Sequence, residues 1–291
     1  METANQKLVS WLFETKAVRV CPQNNPFWYT SGTIGPYYIN THFLYGSEGK
    51  ANALLELIDA EKSDIYGCPE KVLEETRKNY EKDAIYRGLM DEMCRFIKEN
   101  INLEEVDYIS GGERRDWFFS LLAAEILGKP HITIYKDLKA VVSLQSHGTA
   151  ALENLKGANV LHIADLITEA SSYERAWIPA IKEHGGNIRW SVVVVDRKQG
   201  GEQLLTQYGA KSLSMVNIDP SLFDDALSMN LINREQYGML MSYFQNPKES
   251  MRNFLVQHPE FLKNALNSDA KAAERARLCL EKDFYGIKGL L

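Results

Sequence analysis

Apolar and polar positions change rhythm three times along the chain. Leu8, Leu12, Phe13 and Val18 recur at roughly helical spacing and predict a helix packed onto the body. Residues 27 to 46, FWYTSGTIGPYYINTHFLYG, form two aromatic-rich pieces punctuated by Gly32, Gly35 and Pro36, a pattern that predicts a hairpin. Residues 50 to 60 and 85 to 100 read as helices, and the charged stretch between them as helical too. From Val106 the rhythm alternates. VDYIS is a strand, GGERRD a loop, and Trp117 to Leu127 a helix. The strand HITIY follows at 131 to 135, then NVLHI at 159 to 163, a helix from Tyr173 to His184, and the β-branched SVVVVD at 191 to 196. Strands alternating with helices through short connections predict an α/β fold, a parallel sheet with helices on both faces. Beyond Pro220 strand signal stops. Leu231, Tyr237, Met241, Phe244, Phe254, Phe261, Leu262 and Leu266 sit at helix-compatible spacings broken near Pro247 and Pro259. The expected organisation is an α/β domain over residues 1–219 and a C-terminal helical subdomain over 220–291.

Composition narrows the partners. Apolar content of 45% and charged content of 25% over 291 residues are those of a globular protein with ample core. A formal charge of −6 argues against a general nucleic-acid surface while leaving room for a local basic site. Cys21, Cys68, Cys94 and Cys279 lack CxxC or metal-finger spacing, so reduced, packed thiols are expected. No apolar run approaches the ~20 residues of a membrane-spanning helix. The first residues, METANQKLVSWLFETKAV, pattern as an amphipathic helix rather than a signal peptide. A cytoplasmic chain with no membrane or nucleic-acid partner is the expectation.

In open parallel sheets, ligands bind beyond the carboxyl ends of the strands. Three loops here leave strands in that direction. Gly111-Gly112-Glu113-Arg114-Arg115-Asp116 offers close backbone approach and two guanidinium forks for phosphate oxygens. GANVLHIADLITEASS, from Gly157 to Ser172, places Asp165 at a strand end before a turn bearing Thr168, Ser171 and Ser172. N–H and O–H groups and the start of a helix there would face an anion. The third loop is Asp196-Arg197-Lys198-Gln199-Gly200-Gly201. Taken singly, each also reads as an ordinary turn. Lys136 and Lys139 read equally as solvated charges, Tyr37 and Tyr38 as hairpin packing, and His131 and His162 as side chains packed on strands.

Taken in order, four segments over roughly residues 5 to 210 resemble orotate phosphoribosyltransferases. They are FWYTSGTIGPYYIN, VDYISGGERRDWFFSLLAAEILGKP, GANVLHIADLITEASS and VVVVDRKQGGEQLL. The third is similar to the phosphoribosyl-pyrophosphate (PRPP) signature of type I phosphoribosyltransferases. The fourth is similar to a D-R-x-x-G-G stretch whose arginine contacts the base in that family. The resemblance implies a type I phosphoribosyltransferase-like parallel sheet with an N-terminal hairpin hood. The chain departs from the pattern at Ala164, where the first of two acids is expected, at Ala170, where a glycine is, and at Tyr135, where an arginine is. Thr30 and Thr33 stand at basic positions of the hairpin, and about 30 residues within 60 to 90 have no counterpart.

What the resemblance implies is transfer of the ribose 5-phosphate group from PRPP to a pyrimidine base, orotate or similar, with Mg²⁺ and release of pyrophosphate. Such chemistry needs the leaving group neutralised and the reactants aligned. Lys136, Lys139 and His147 would close over pyrophosphate on a mobile loop. Gly111, Gly112, Arg114 and Arg115 would bind PRPP. Asp165 would hold the ribose hydroxyls, and Thr168, Ser171 and Ser172 the 5′-phosphate. Tyr37, Tyr38 and Arg197 would position the base, and a homodimer is implied. The alternative is a catalytically weakened PRPP- or nucleotide-binding regulator on the same fold.

Overall fold

The sheet is organised around its most apolar strands. In a computed structural model that describes residues 4–144 and 148–288, seven strands make one sheet. They are β1 (Tyr108–Gly112), β2 (His131–Ile134), β3 (Ala140–Leu144), β4 (Gly148–Ala151), β5 (Asn159–Ile167), β6 (Asn187–Asp196) and β7 (Lys211–Asn217). Their order is β7-β6-β5-β1-β2-β3-β4. The first five in that order run parallel, and β3 and β4 add an antiparallel edge. Val192 to Val195 of β6 are 0% exposed, which requires apolar cover on both faces and explains the unbroken valine run. The helix Trp117–Ile126 is apolar nearly all round and buried from Trp117 to Ala124, as a helix enclosed by neighbours must be.

These strands belong to a compact unit formed by residues 1–16 and 41–218. It also carries the helices Glu48–Glu61, Cys68–Lys82 and Ala84–Asn100, so the segment without a counterpart is helical, as its pattern predicts. Tyr135 explains one departure. It is 3% exposed, packs edge-on against Trp117 at 5.0 Å, and its hydroxyl donates to the Ile65 carbonyl at 3.0 Å. A side chain that anchors the extra segment stands where the family pattern has an arginine.

The long mobile loop expected after HITIY is replaced by structure. Tyr135 and Lys139 close a tight turn through a Tyr135 N–H to Lys139 carbonyl bond of 2.8 Å. Ala140, Val141 and Val142 then pair with Ile134, Thr133 and Ile132. The β-branched residues favour a paired strand over a solvated loop. His147 lies outside the described residues.

The second unit joins residues 17–40 to 219–291. Its second segment starts at Asp219, and the hairpin residues group with the C-terminal helices. Val18–Val20 pairs with Tyr37–Ile39, and Phe27–Trp28 with Ile34–Gly35. Five helices follow: Pro220–Ser228, Arg234–Gln245, Pro247–Gln257, Pro259–Leu266 and Ala270–Lys282. Three begin with proline at the first position, where its missing N–H costs nothing. Asp219, Asn233, Asn246 and Asp269 cap four of them through side-chain oxygens. Trp28 stacks on Phe261 at 5.4 Å, and the Ile34 N–H donates to the Tyr285 hydroxyl at 2.9 Å.

Phe118 is the most informative core position of the first unit. It is 0% exposed, meets the Tyr45 ring at 5.3 Å, and its carbonyl accepts the Tyr86 hydroxyl. Phe118→Ala should cost about 3–5 kcal/mol through lost transfer energy and a residual cavity. Urea unfolding should show a lower midpoint with an unchanged slope.

Candidate functional site

The site lies at the carboxyl ends of β1 and β5. A cavity of about 310 Å³ is lined by Glu113, Arg114, Arg115 and Asp116 from the first loop, Lys136 from the turn after β2, and residues 164–173 with Trp177 from the third segment. The structure thus brings together Arg114, Arg115, Lys136, Asp165, Thr168, Ser171 and Ser172.

Gly111 and Gly112 are set beneath this cavity rather than on its wall. A Cβ at Gly111 would collide with the Ser120 hydroxyl, and one at Gly112 with the Trp177 indole. The close approach that requires glycine is made by the protein's own side chains. The Trp117 indole N–H donates to the Gly111 carbonyl at 3.0 Å and fixes the strand end.

Asp116 joins the two loops. Its Oδ2 accepts the Gly112 N–H at 3.0 Å and its Oδ1 the Asp165 N–H at 3.1 Å. Although it stands at the start of the helix Trp117–Ile126, its side chain makes no cap bond there. Behind it, His162 is 0% exposed, with Nε2 3.4 Å from Asp116 Oδ2 and Nδ1 2.9 Å from the Ser110 hydroxyl. His162 and His131 are packed strand residues, as their positions predict. Burial holds the His131 imidazole neutral, with its pKa pushed down to about 3.

Asp165 is 8% exposed. Burial, reinforced by the Asp116 carboxylate and partly opposed by Arg115, raises its pKa well above the usual carboxylate range. The turn beyond it is strained. Ala170 takes φ of +57°, the left-handed region that glycine occupies freely. The following helix opens as a π turn over Tyr173–Trp177 before Ile178–Glu183. The Ile178 N–H reaches back to the Tyr173 carbonyl, and Pro179 cannot supply the next N–H, so the ladder is interrupted where a regular helix was expected. The Ser172 side chain makes no cap bond to this helix.

The two lysines separate. Lys136 lines the cavity, and its backbone N–H donates to Glu113 Oε2 at 3.1 Å. Lys139 points to Asp137 at 2.7 Å and is absent from the cavity wall. Arg114 pairs with Asp59, which Lys62 also holds at 2.8 Å. Exposed pairs of this kind are worth about 0–1 kcal/mol, so a phosphate could recruit the guanidinium at little cost.

The D-R-x-x-G-G stretch supports the turn from the side. The Arg197 N–H donates to the Ile167 carbonyl at 3.0 Å and the Gly201 N–H to the Thr168 carbonyl at 2.9 Å. Asp196, 2% exposed, accepts the Lys198 N–H at 2.6 Å. Arg197 stands outside the cavity wall, and its buried Nε has no hydrogen-bond partner among the described residues. In the second unit, Tyr37 is 3% exposed among Phe223, Tyr243 and Phe244, each at 5.9 Å. This placement takes Tyr37 out of the candidate base contacts, because a core ring cannot also stack on a ligand. Tyr38 is half-buried with the Arg19 guanidinium 5.7 Å from its ring centre.

Asp116, Glu113 and Glu169 stand in the loops quoted from the sequence without being singled out there, and Trp177 was missed. An acid between a glycine loop and an apolar helix was a usable signal for Asp116. Nothing local marked Trp177, which reaches the site only through the return of its helix.

A sheet of this order with a polar cavity at its carboxyl edge is the fold of type I phosphoribosyltransferases. It superposes on the UMP synthase of Leishmania donovani with a TM-score of 0.56 at 18% identity, covering 84% of this chain and 42% of that one. The orotate phosphoribosyltransferase of Francisella tularensis gives 0.52 at 13% identity, with 81% and 96% covered. Within that class the chain resembles orotate phosphoribosyltransferases. It is 28% identical over 107 residues to that of Sulfurisphaera tokodaii, spanning 37% of this chain and 48% of the relative. It is 35% identical over 72 residues to that of Methanopyrus kandleri, spanning 25% and 39%. The chain therefore spans less than half the length of each of these two relatives. No family model matches it.

Two predictions follow from the turn and its acid. At Ala170, relieving left-handed strain is worth about 1–2 kcal/mol, against about 0.8 kcal/mol for losing one buried methyl. The extra unfolded-chain entropy of glycine adds about 0.4–1 kcal/mol to that cost. The terms nearly cancel, so Ala170→Gly should leave the thermal midpoint nearly unchanged, and a clear shift either way would refute the balance. Asp165 binds its proton more tightly folded than unfolded, so stability falls as pH rises from the usual carboxylate range toward its raised pKa. Asp165→Asn should remove that fall. Thermal midpoints at pH 4.5 and 8 should therefore diverge between wild type and variant, with the variant favoured at pH 8.

Proposed function

We propose that the chain is a phosphoribosyltransferase that transfers ribose 5-phosphate from PRPP to a pyrimidine base, orotate or similar, releasing pyrophosphate. The observation that carries this reading is the convergence of Arg115, Lys136, Asp165 and the 168–172 turn on one cavity at the carboxyl edge of a parallel sheet. The names of the relatives and the four ordered segments support it.

The residues divide the work by chemistry. Hydroxyl and N–H donors of the turn suit the 5′-phosphate. Arg115, Arg114 and Lys136 suit the pyrophosphate, whose developing charge on departure is met by fixed cations. Asp165, an acceptor when ionised, suits the sugar hydroxyls. Arg197 is the residue of this unit that the reading gives to the base.

The fit to Mg²⁺ is a fit through the ligand. The lining carries Arg114, Arg115 and Lys136 together with Glu113, Asp116, Asp165 and Glu169, so the wall offers no excess of positive charge to a polyanion. Among the described residues no three metal-ligating side chains cluster. A cation that keeps its waters and takes substrate oxygens matches that arrangement, with Asp165 and Asp116 within reach as outer partners. When bound, it would supply charge neutralisation on the pyrophosphate. A homodimer and a cytoplasmic setting belong to the same reading. No helix among the described residues is long and apolar enough to cross a membrane.

A regulator that binds PRPP without turnover is the second reading. The strained Ala170 and the withdrawal of Lys139 onto Asp137 favour it.

Titration calorimetry with PRPP and Mg²⁺, followed by pyrophosphate release across pyrimidine bases, tests both. In an enzyme, Lys136→Ala should lower kcat by about 10²-fold with little change in PRPP affinity, as for other electrostatic stabilisers. Lys139→Ala should do far less. Turnover indifferent to Lys136 would sink the proposed mechanism. PRPP binding with no turnover on any pyrimidine would favour the regulator.

A further inference from the structure

Asp116 does more than the loops require. Two backbone amides could be held by neutral acceptors. Instead a carboxylate, 7% exposed, stands at the floor of the cavity beside a second carboxylate, Asp165. Like charges so placed repel, and nothing in the loop geometry demands the charge.

The surroundings of Asp116 leave it capacity. An ionised carboxylate offers about four acceptor sites. The Gly112 and Asp165 amides use one on each oxygen. The His162 Nε2 lies 3.4 Å from Oδ2, is fully buried, and has no hydrogen-bond partner among the described residues, so it backs the carboxylate from the side away from the cavity. Groups that meet two adjacent carboxylates favourably are hydroxyl donors and hydrated cations, not phosphate oxygens. The cations Arg115 and Lys136 and the donor-rich turn mark where phosphates sit. The pair of acids suits the hydroxyls of a sugar.

We propose that Asp116 is the second sugar-binding carboxylate of the site, acting with Asp165 to accept the vicinal hydroxyls of a ribose phosphate. In sequence Ala164 leaves Asp165 alone. In space its partner comes from the neighbouring strand's loop, 49 residues earlier. The same side chain ties that loop to the strand end, so filling the sugar position and ordering the phosphate loop become one event. This inference rests on the sugar-phosphate reading of the cavity given above.

The test uses the full-length chain and three probes: ribose 5-phosphate, 2-deoxyribose 5-phosphate and inorganic pyrophosphate. Wild type should bind ribose 5-phosphate more tightly than the deoxy sugar. Asp116→Asn should shrink that preference by about tenfold, the factor expected for one lost charged hydrogen bond, and leave pyrophosphate affinity within about twofold. A merely structural clamp would weaken all three probes together. Should Asp116→Asn not fold, Asp116→Ser keeps a small acceptor for one amide without the charge, and the same loss is expected. A folded variant that retains the wild-type preference overturns the role of Asp116 while the cavity reading stands. A wild type that binds neither sugar phosphate overturns both.

Discussion

Two backbone amides from different strands, those of Gly112 and Asp165, end on one buried carboxylate. The candidate site depends on that arrangement. β1 and β5 are hydrogen-bonded neighbours, but their register covers only Tyr108 to Ser110 against Val160 to His162. Beyond those pairs the strands splay, and the gap between them is the cavity. Asp116 spans the gap at its floor. A hydrogen bond to a charged group is worth more than a neutral one, and its burial makes loss of either amide costly.

The electrostatics of the cavity follow from the same placement. Burial pushes Asp165 toward its protonated form, the Asp116 carboxylate at the splay point adds to that push, and Arg115 at the rim opposes it. Asp116 and Asp165 are buried while Arg115 and Lys136 are exposed, with Lys136 on a tight turn rather than a long loop. A ligand with hydroxyls at one end and phosphates at the other matches that gradient in both sign and depth. A ligand that is anionic throughout would need a cation of its own.

The C-terminal helices have a structural role within their own unit. The hairpin of residues 17–40 is too short to bury its aromatic residues alone, since an isolated two-stranded hairpin is marginal in water. Phe223, Tyr243 and Phe244 surround Tyr37, and Phe261 stacks on Trp28. Within its unit the hairpin packs against the C-terminal helices, which have a core of their own.

Some of this was legible in the chain and some was not, for identifiable reasons. SVVVV could only be a strand buried on both faces, and VDYIS, HITIY and NVLHI were strands by composition. The helices beyond Pro220 announced themselves by apolar spacing broken near Pro247 and Pro259, as did the loops at the sheet's carboxyl edge by their charge and glycine. These are properties of residues close in sequence. The long loop after HITIY was misjudged because Ala140 to Val142 form a strand only by pairing with Ile132 to Ile134. Gly111 and Gly112 were credited to a ligand because nothing in the loop reveals that Ser120 and Trp177 fill the space above them. Tyr135 looked like a lost arginine until Ile65, 70 residues away, was seen to receive its hydroxyl. Asp165 looked solitary because its partner carboxylate lies 49 residues upstream. Backbone preference and apolar periodicity are local and were determined by the sequence alone. Which side chains share a cavity, and which acid meets which, are set by strand order and packing, and only the tertiary structure decided them.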